Sequence, residues 1–339
     1  MVAVKYLLLI LLFTTGCAQA PQQTNNKYHE TRMLMGTIVN IDVCRNEHEQ
    51  EDIQKSYQRV WERLEEISWR MNVFDEKSEV TQINNSNGNT VSIQEDTYYV
   101  LQRSMEFFKQ TSGAFDITVW PLIKLWKQAA KNNRFPSQEE LINVKKGIGL
   151  DKVELLEGNQ VRLKNKETKV DLGGIAKGYA VDEAARIFRE EGIDNFFIDA
   201  GGDIYVGGMN CRGQLWRIGV RDPRDKSKIF NVVEVSNAAV TTSGNYEQYY
   251  DIQGERFSHI IDPITGYPQK EVVSATVIAP DALNADSLST ALAVLGAMRG
   301  TKLINTFDYS HASIIMIKQD DGTIKNFKSN FYGNYQKNK

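Results

Sequence analysis

Val170-Asp-Leu-Gly-Gly-Ile-Ala-Lys-Gly178, then Phe196-Phe-Ile-Asp-Ala-Gly-Gly-Asp203, is the stretch whose reading decides the fold class. Residues up to Leu172 read as the end of a short strand, broken by the glycine pair Gly173-Gly174. From Ala176 to Glu190, Val181, Ala184, Ala185 and Phe188 fall on one helical face. Residues 196–200 and 204–206 read as strands flanking the turn Gly201-Gly202-Asp203. Downstream, strands are expected at 215–220, 232–235, 257–261, 273–279 and 312–317, with a helix over 284–295. Upstream, 36–43 reads as a strand from its β-branched content. Ile53, Tyr57, Val60, Leu64, Ile67 and Met71 mark an amphipathic helix, and Leu101, Met105 and Phe108 a second one over 97–110. The polar turn Asn84-Asn-Ser-Asn-Gly88 separates these two helical regions. Strands and helices that mix without regular βαβ alternation indicate an α+β fold, not a doubly wound sheet.

The chain has 339 residues, 41% apolar and 24% charged, which is the globular range. A formal net charge of -3 lacks the basic surplus of a dedicated duplex-binding protein, so no nucleic-acid partner is expected. Lys5 and the apolar run Leu7-Leu-Leu-Ile-Leu-Leu-Phe13 lead into Thr14-Thr-Gly-Cys17. The run is shorter than the roughly 20 residues a membrane span needs, and it reads as a signal peptide. Small residues before Cys17 resemble a bacterial lipoprotein signal, with Cys17 as the lipidated first residue; a plain secretory signal cleaved after Ala18 or Ala20 is the alternative. Residues 1–17 are then the signal, 18–32 a polar tether, and 33–339 a single domain, since no break rich in Pro, Gly or Ser divides it. The expected location is the periplasmic side of a bacterial membrane, lipid-anchored, the inner membrane rather than the outer. Cys44 and Cys211 can form a disulfide or remain buried thiols, and the sequence leaves this open.

Five segments can carry chemistry. In Asp171-Leu-Gly-Gly-Ile-Ala-Lys-Gly178, two glycines at a helix start can turn backbone N–H groups toward a phosphate, with Lys177 adding a charge. Read alone, the same stretch is equally a tight strand-to-helix turn with an exposed lysine. Asp286 and Thr290 lie four residues apart in Ala285-Asp-Ser-Leu-Ser-Thr-Ala-Leu292, on one helical face, where their oxygens can hold a hard cation such as Mg²⁺. Taken alone, Asp286 is as well explained by the helix dipole. His259, in Phe257-Ser-His-Ile-Ile-Asp-Pro-Ile-Thr-Gly266, can titrate near neutral pH or bind phosphate, and is otherwise a core histidine. In Gly113-Ala-Phe-Asp116, Phe115 can pack on a ring and Asp116 bond its edge, or both can be plain core. Thr241-Thr-Ser-Gly-Asn-Tyr246 reads as a hydroxyl-rich loop.

Together these segments are not independent. Met35-Gly-Thr37, Gly113-Ala-Phe-Asp116, Asp171–Gly178, Asp199-Ala-Gly-Gly-Asp203, Thr242-Ser-Gly-Asn-Tyr246, His259-Ile-Ile-Asp-Pro263 and Ala285–Thr290 occur in the order and spacing of the ApbE family. The resemblance covers roughly residues 33–320. It implies a two-lobed α+β fold with FAD in the cleft and Mg²⁺ at its pyrophosphate. The implied activity is transfer of FMN from FAD to a threonine or serine hydroxyl of a target redox protein, with release of AMP. The acceptor would be an electron-transfer subunit of the NADH-quinone reductase type. By motif match, Met35, Phe74 (a position where relatives often carry tyrosine), Ala114, Phe115, Asp116, Asp171 and Lys177 would contact FAD. His259 would bind phosphate or handle the proton, with Asp262 as a partner that could orient it. The metal would take Asp286, Thr290 and the backbone carbonyl of Gly174. A pyrophosphatase releasing FMN and AMP is the nearest rival, and a non-catalytic flavin-binding lipoprotein the rival from another class.

Overall fold

The computed structural model describes residues 27–44, 50–245, 249–319 and 321–336. Cys17, the signal segment and Tyr246 lie outside them. In chain order the elements are β1 (Lys27–Leu34), β2 (Thr37–Cys44), α1 (Gln50–Arg70), α2 (Glu79–Asn84), β3 (Thr90–Ser92), α3 (Glu95–Gln110), α4 (Trp120–Lys131) and α5 (Gln138–Lys145). Then follow β4 (Val153–Leu156), β5 (Gln160–Leu163), α6 (Ala176–Glu190), β6 (Phe196–Ala200), β7 (Asp203–Gly207), β8 (Trp216–Asp222) and β9 (Asp225–Val235). The chain ends with β10 (Ala238–Gly244), β11 (Tyr249–Ile252), β12 (Glu255–Ser258), β13 (Val272–Ala279), α7 (Ala282–Ile304), β14 (Ala312–Lys318) and β15 (Ile324–Lys328).

Eight strands form one antiparallel sheet in the order β1-β2-β6-β7-β10-β13-β14-β15. The period-2 alternation of its strands sends two sets of side chains to opposite faces. Val39, Ile41 and Val43 of β2 and Phe196 and Ile198 of β6 pack under α1, α6 and α7 in the main core. On the other face, Val206, Val240, Ile314 and Met316 pack against Ile218, Val220, Val233 and Val235 of the β8–β9 hairpin. A third apolar cluster joins Leu122, Trp126 and Leu141 of α4 and α5 to Ile252, Phe257 and Ile261, forming a smaller lobe beside the sheet. The α+β reading therefore holds. Among the described residues no helix is long and apolar enough to cross a membrane.

The structure departs from the sequence reading at four places. Strand β1 starts at Lys27, upstream of Met33: it pairs with β2 along its whole length, and Tyr28 is buried. The stretch expected as tether to residue 32 thus contains most of an edge strand. No strand ends at Leu172. The side-chain amide of Asn84 donates to Val170 O (2.8 Å) and accepts from Val170 N (2.7 Å), supplying what a neighbouring strand would have supplied. The hydroxyl-rich segment 241–244 is not a loop but part of β10, central in the sheet. Strand β12 stops at Ser258, so His259 lies in the bend that follows. Cys44 and Cys211 are bonded across 167 residues, tying the end of β2 to the loop that leads into β8.

Candidate active site

Two hairpin turns meet at one end of the sheet. Met35 and Gly36 turn β1 into β2 with φ of 53° and 71°, and Gly201 and Gly202 turn β6 into β7 with φ of 68° and 98°. Two-residue turns with both central residues in the left-handed region match the twist of antiparallel strands. A Cβ on Gly201 would lie 2.1 Å from Thr37 Oγ1, so only glycine lets the turns touch. Beside them opens a cleft of about 1370 Å³ between the sheet, the first turns of α6 and α7, and the smaller lobe. Met35, Phe74, Ala114, Phe115, Asp116, Asp171, Gly174, Lys177, His259, Asp286 and Thr290 all line it. The residues singled out from sequence thus converge on one cavity, although they come from separated stretches of chain.

The metal candidates are organised by the contact of α6 with α7. A Cβ on Gly178 would lie 2.4 Å from Ala282 O, so the two helix starts are in van der Waals contact. Asp286 Oδ2 accepts the Gly178 N–H (3.0 Å). In return, Asp182 on α6 accepts the Ala282 and Leu283 N–H groups (2.7 and 2.8 Å) of α7. Each helix caps the other's first turn with a carboxylate. Burial, with Asp281 nearby, pushes the Asp182 carboxyl up to about 8. Thr290 Oγ1 lies 3.4 Å from Ser243 Oγ, and a Cβ on Gly174 would meet Thr290 Oγ1 at 3.3 Å. Carboxylate, hydroxyl and the Gly174 backbone therefore stand close together, all oxygen donors. Among the described residues no group of three or more His, Cys, Asp or Glu could hold a metal. A single carboxylate with neutral oxygens suits a cation completed by water and substrate phosphates, which is how Mg²⁺ binds.

The remaining candidates differ in what their surroundings permit. Lys177 forms an ion pair with the buried Asp203, whose carboxyl burial raises while the ammonium opposes the shift. Asp171 Oδ1 accepts Gly173 N–H (2.9 Å), and dehydration raises its pKa. Asp116 Oδ1 accepts both Thr118 N–H (2.8 Å) and Thr118 Oγ1 (2.6 Å) as a cap, and burial pushes it up to about 6. Phe115 packs in the main core edge-on to Phe107 and also reaches the cleft wall. Phe74 is the opposite: 69% exposed, edge-on to Trp120 at the cleft mouth. Asp262 Oδ1 accepts Ile264 N–H (2.8 Å) and shapes the turn that follows.

Sequence reasoning quoted Ser243 and Asp203 only within motifs, giving neither a role, and missed Tyr250 and Arg221; all four are on the cleft wall. Tyr250 is half-buried, and burial with Asp171 opposite raises its hydroxyl to about 12. Nothing local marks Tyr250 or Arg221; only the closed sheet brings them to the cavity.

A profile of the ApbE family matches residues 35–315. The chain belongs to the ApbE family. Among ApbE relatives, an FAD:protein FMN transferase of Vibrio cholerae is 32% identical over 330 residues, 95% of each chain. One of Escherichia coli is 32% identical over 340 residues, 95% of this chain and 94% of that one. A crystal structure of the ApbE protein of Thermotoga maritima superposes with a TM-score of 0.82 at 34% identity, covering 92% of this chain and all of that one. The flavin transferase ApbE of Vibrio cholerae gives 0.82 at 30% identity, covering 91% and 99%.

Proposed function

We propose that this chain transfers FMN from FAD to a threonine or serine hydroxyl of a target protein and releases AMP. The observation that carries the reading is the joining of Asp286, Thr290 and the Gly174 backbone on one wall of a cleft about 1370 Å³ in volume. That is larger than the roughly 300–1,000 Å³ of common small-ligand pockets and leaves room for a dinucleotide. The relatives' names as FAD:protein FMN transferases support the same substrate.

In the reaction, the acceptor hydroxyl oxygen forms a bond to the FMN-side phosphorus. The bond from that phosphorus to the bridging oxygen breaks, and AMP leaves with the electron pair. The hydroxyl proton passes to His259 or to the departing phosphate. Asp286, Thr290 and the Gly174 carbonyl would hold Mg²⁺, which supplies positive charge to the pyrophosphate as negative charge develops. The Lys177 ammonium acts on the same oxygens without reorganising. Asp171 and Asp116 can accept hydrogen bonds from the nucleotide's polar edges.

The acceptor we infer is an electron-transfer subunit. The chain would work on the periplasmic side of a membrane, anchored through Cys17. Support comes from the N-terminal apolar run and from the Cys44–Cys211 bond, since disulfides persist in oxidising compartments. The function is tested by incubating the full chain with FAD, Mg²⁺ and a candidate acceptor and measuring intact mass. An FMN-sized increment on the acceptor is expected. Release of FMN and AMP with no increment would make the enzyme a pyrophosphatase instead.

A further inference from the structure

We propose that Ser243 is a positioning residue: it takes the proton of Thr290 and thereby turns the lone pairs of Thr290 Oγ1 into the cleft. The inference rests on the reading of Asp286 and Thr290 as magnesium ligands. It follows from counting protons along a chain of three hydroxyls. Ser289 Oγ donates to the backbone carbonyl of Asp286 (3.0 Å). A serine hydroxyl carries one proton, so Ser289 has none left for Ser243 Oγ, 2.7 Å away. Ser243 must therefore donate to Ser289. Ser243 Oγ also lies 3.4 Å from Thr290 Oγ1, and with its own proton committed it can only accept there. Thr290 is the donor of that long contact.

The usual outlet for a helical threonine proton is the carbonyl four residues back. Here that carbonyl is Asp286 O, which already receives Ser289 Oγ beside the helix's own N–H from position 290. Both its lone pairs are used, and Ser243 is the acceptor that remains. The direction of the chain has a consequence for ligation. A hydroxyl whose proton pointed into the cleft would repel a cation, whereas one whose proton is drawn back to Ser243 presents lone pairs. The sheet sets this up by its alternation. Thr242 Oγ1 bonds Thr276 Oγ1 (2.8 Å) across to β13, while Ser243, the next residue, is directed at α7.

The test is Mn²⁺ titration into the full chain, with and without FAD, read by electron paramagnetic resonance of the free ion, on wild type, Ser243→Ala, Ser243→Thr, Thr290→Ala and the Ser243→Ala/Thr290→Ala double variant. Loss of a hydrogen-bond partner behind a metal ligand typically weakens metal affinity about tenfold or more. Ser243→Ala is expected to show that loss, and Ser243→Thr, which keeps the hydroxyl, to restore most of it. In the Thr290→Ala background, Ser243→Ala should cost nothing further, because the effect passes through Thr290. A merely structural serine would give losses that add. Wild-type affinity in Ser243→Ala, or additive losses, overturns the proposal while the magnesium reading stands. Wild-type affinity in Thr290→Ala removes Thr290 as a ligand and overturns the proposal with it, whereas failure of wild type to bind Mn²⁺ under either condition overturns the magnesium reading itself.

Discussion

Asp286 Oδ2 accepts the backbone N–H of Gly178 at 3.0 Å, so the proposed metal ligand of α7 is also the cap of α6. One carboxylate thus sits between two jobs. It fixes the helix start that lines the cleft, and it offers the charge that would draw a cation out of water. The tight approach of Gly178 to Ala282 makes the arrangement rigid, because neither helix can shift without breaking the other's cap.

The two jobs separate by substitution. Asp286→Asn keeps an oxygen for Gly178 and removes the charge; Asp286→Ala removes both. Both variants should lose FMN transfer by about 10²–10³-fold, the scale of one strong electrostatic contact at a reacting group. Only Asp286→Ala should also lose stability, about 1–3 kcal/mol for an orphaned buried N–H. Thr290→Ala removes a neutral oxygen that water can replace, and its effect on rate should be smaller. The measurements are transfer rate and thermal midpoint for each variant, and transfer by wild type in EDTA. Wild-type transfer by Asp286→Asn, or an EDTA-insensitive rate, would remove the metal from the mechanism.

A second carboxylate predicts how stability depends on pH. Asp96 joins three elements: it contacts Arg63 (2.5 Å) from α1, Tyr179 (2.6 Å) from α6, and Arg70. Burial alone would raise its carboxyl, but hydrogen bonds from Arg63 and Tyr179 and the arginine charges hold it below the ordinary 3.8. A depressed carboxyl stabilises the fold above its ordinary value and loses that contribution as pH falls through its folded value. Asp96→Asn should therefore cost about 2–3 kcal/mol near neutral pH, somewhat under the penalty for breaking a fully buried pair. The difference from wild type should shrink steadily below about pH 4. Denaturant midpoints across that range check it, and a pH-independent difference would mean that the ion pair is not its source.

What the sequence made legible follows from the range of the signal. Helices α1, α3 and α6 and the β6–β7 hairpin carry their period within a dozen residues, and each was readable where it stands. Strand β10 was not. Thr241, Thr242 and Ser243 look like loop residues because hydroxyls favour turns, yet all three lie in the sheet centre, where Thr242 and Ser243 find partners on β13 and α7. Strand β1 was missed for another reason: Lys27-Tyr-His-Glu-Thr-Arg32 is an edge, and edge strands are kept polar. At the site, the ordered motifs located Asp286, Thr290 and Lys177. The partners that decide their chemistry, Gly178, Ser243 and Asp203, are matters of three-dimensional contact.

The disulfide gives a prediction that needs no ligand. Cys44 and Cys211 close a loop of 167 residues in sequence. Removing such a link from a folded domain costs about 2–5 kcal/mol, on the entropic account because the unfolded chain regains its freedom. Cys44→Ser, Cys211→Ser and reduced wild type should share one lowered urea midpoint. In the full, unlipidated chain, which also carries Cys17, three free thiols instead of one titrating in denatured, unreduced wild type would show that the bond is not formed.

The last prediction concerns Lys177, whose ammonium is paired with the buried Asp203 and also lines the cleft. A lysine neutralised by a carboxylate pulls on a phosphate less than a lone one does, since the anion feels both charges. Wild type should still bind FAD more tightly than riboflavin, because Lys177 acts on phosphates, which riboflavin lacks. Lys177→Met should narrow that gap and leave the buried Asp203 without its counter-charge, which costs stability. Asp203→Asn should act in the opposite sense on binding. It keeps the shape, leaves Lys177 with a net positive charge at the cleft, and should tighten FAD while leaving riboflavin unchanged. The gain should fade as salt is raised, as expected for a partly exposed charge. Fluorescence titration of FAD and riboflavin against the three proteins at low and high salt reads all of this. If Asp203→Asn bound FAD more weakly than wild type at low salt, Asp203 would have to hold Lys177 in its working position, not screen it.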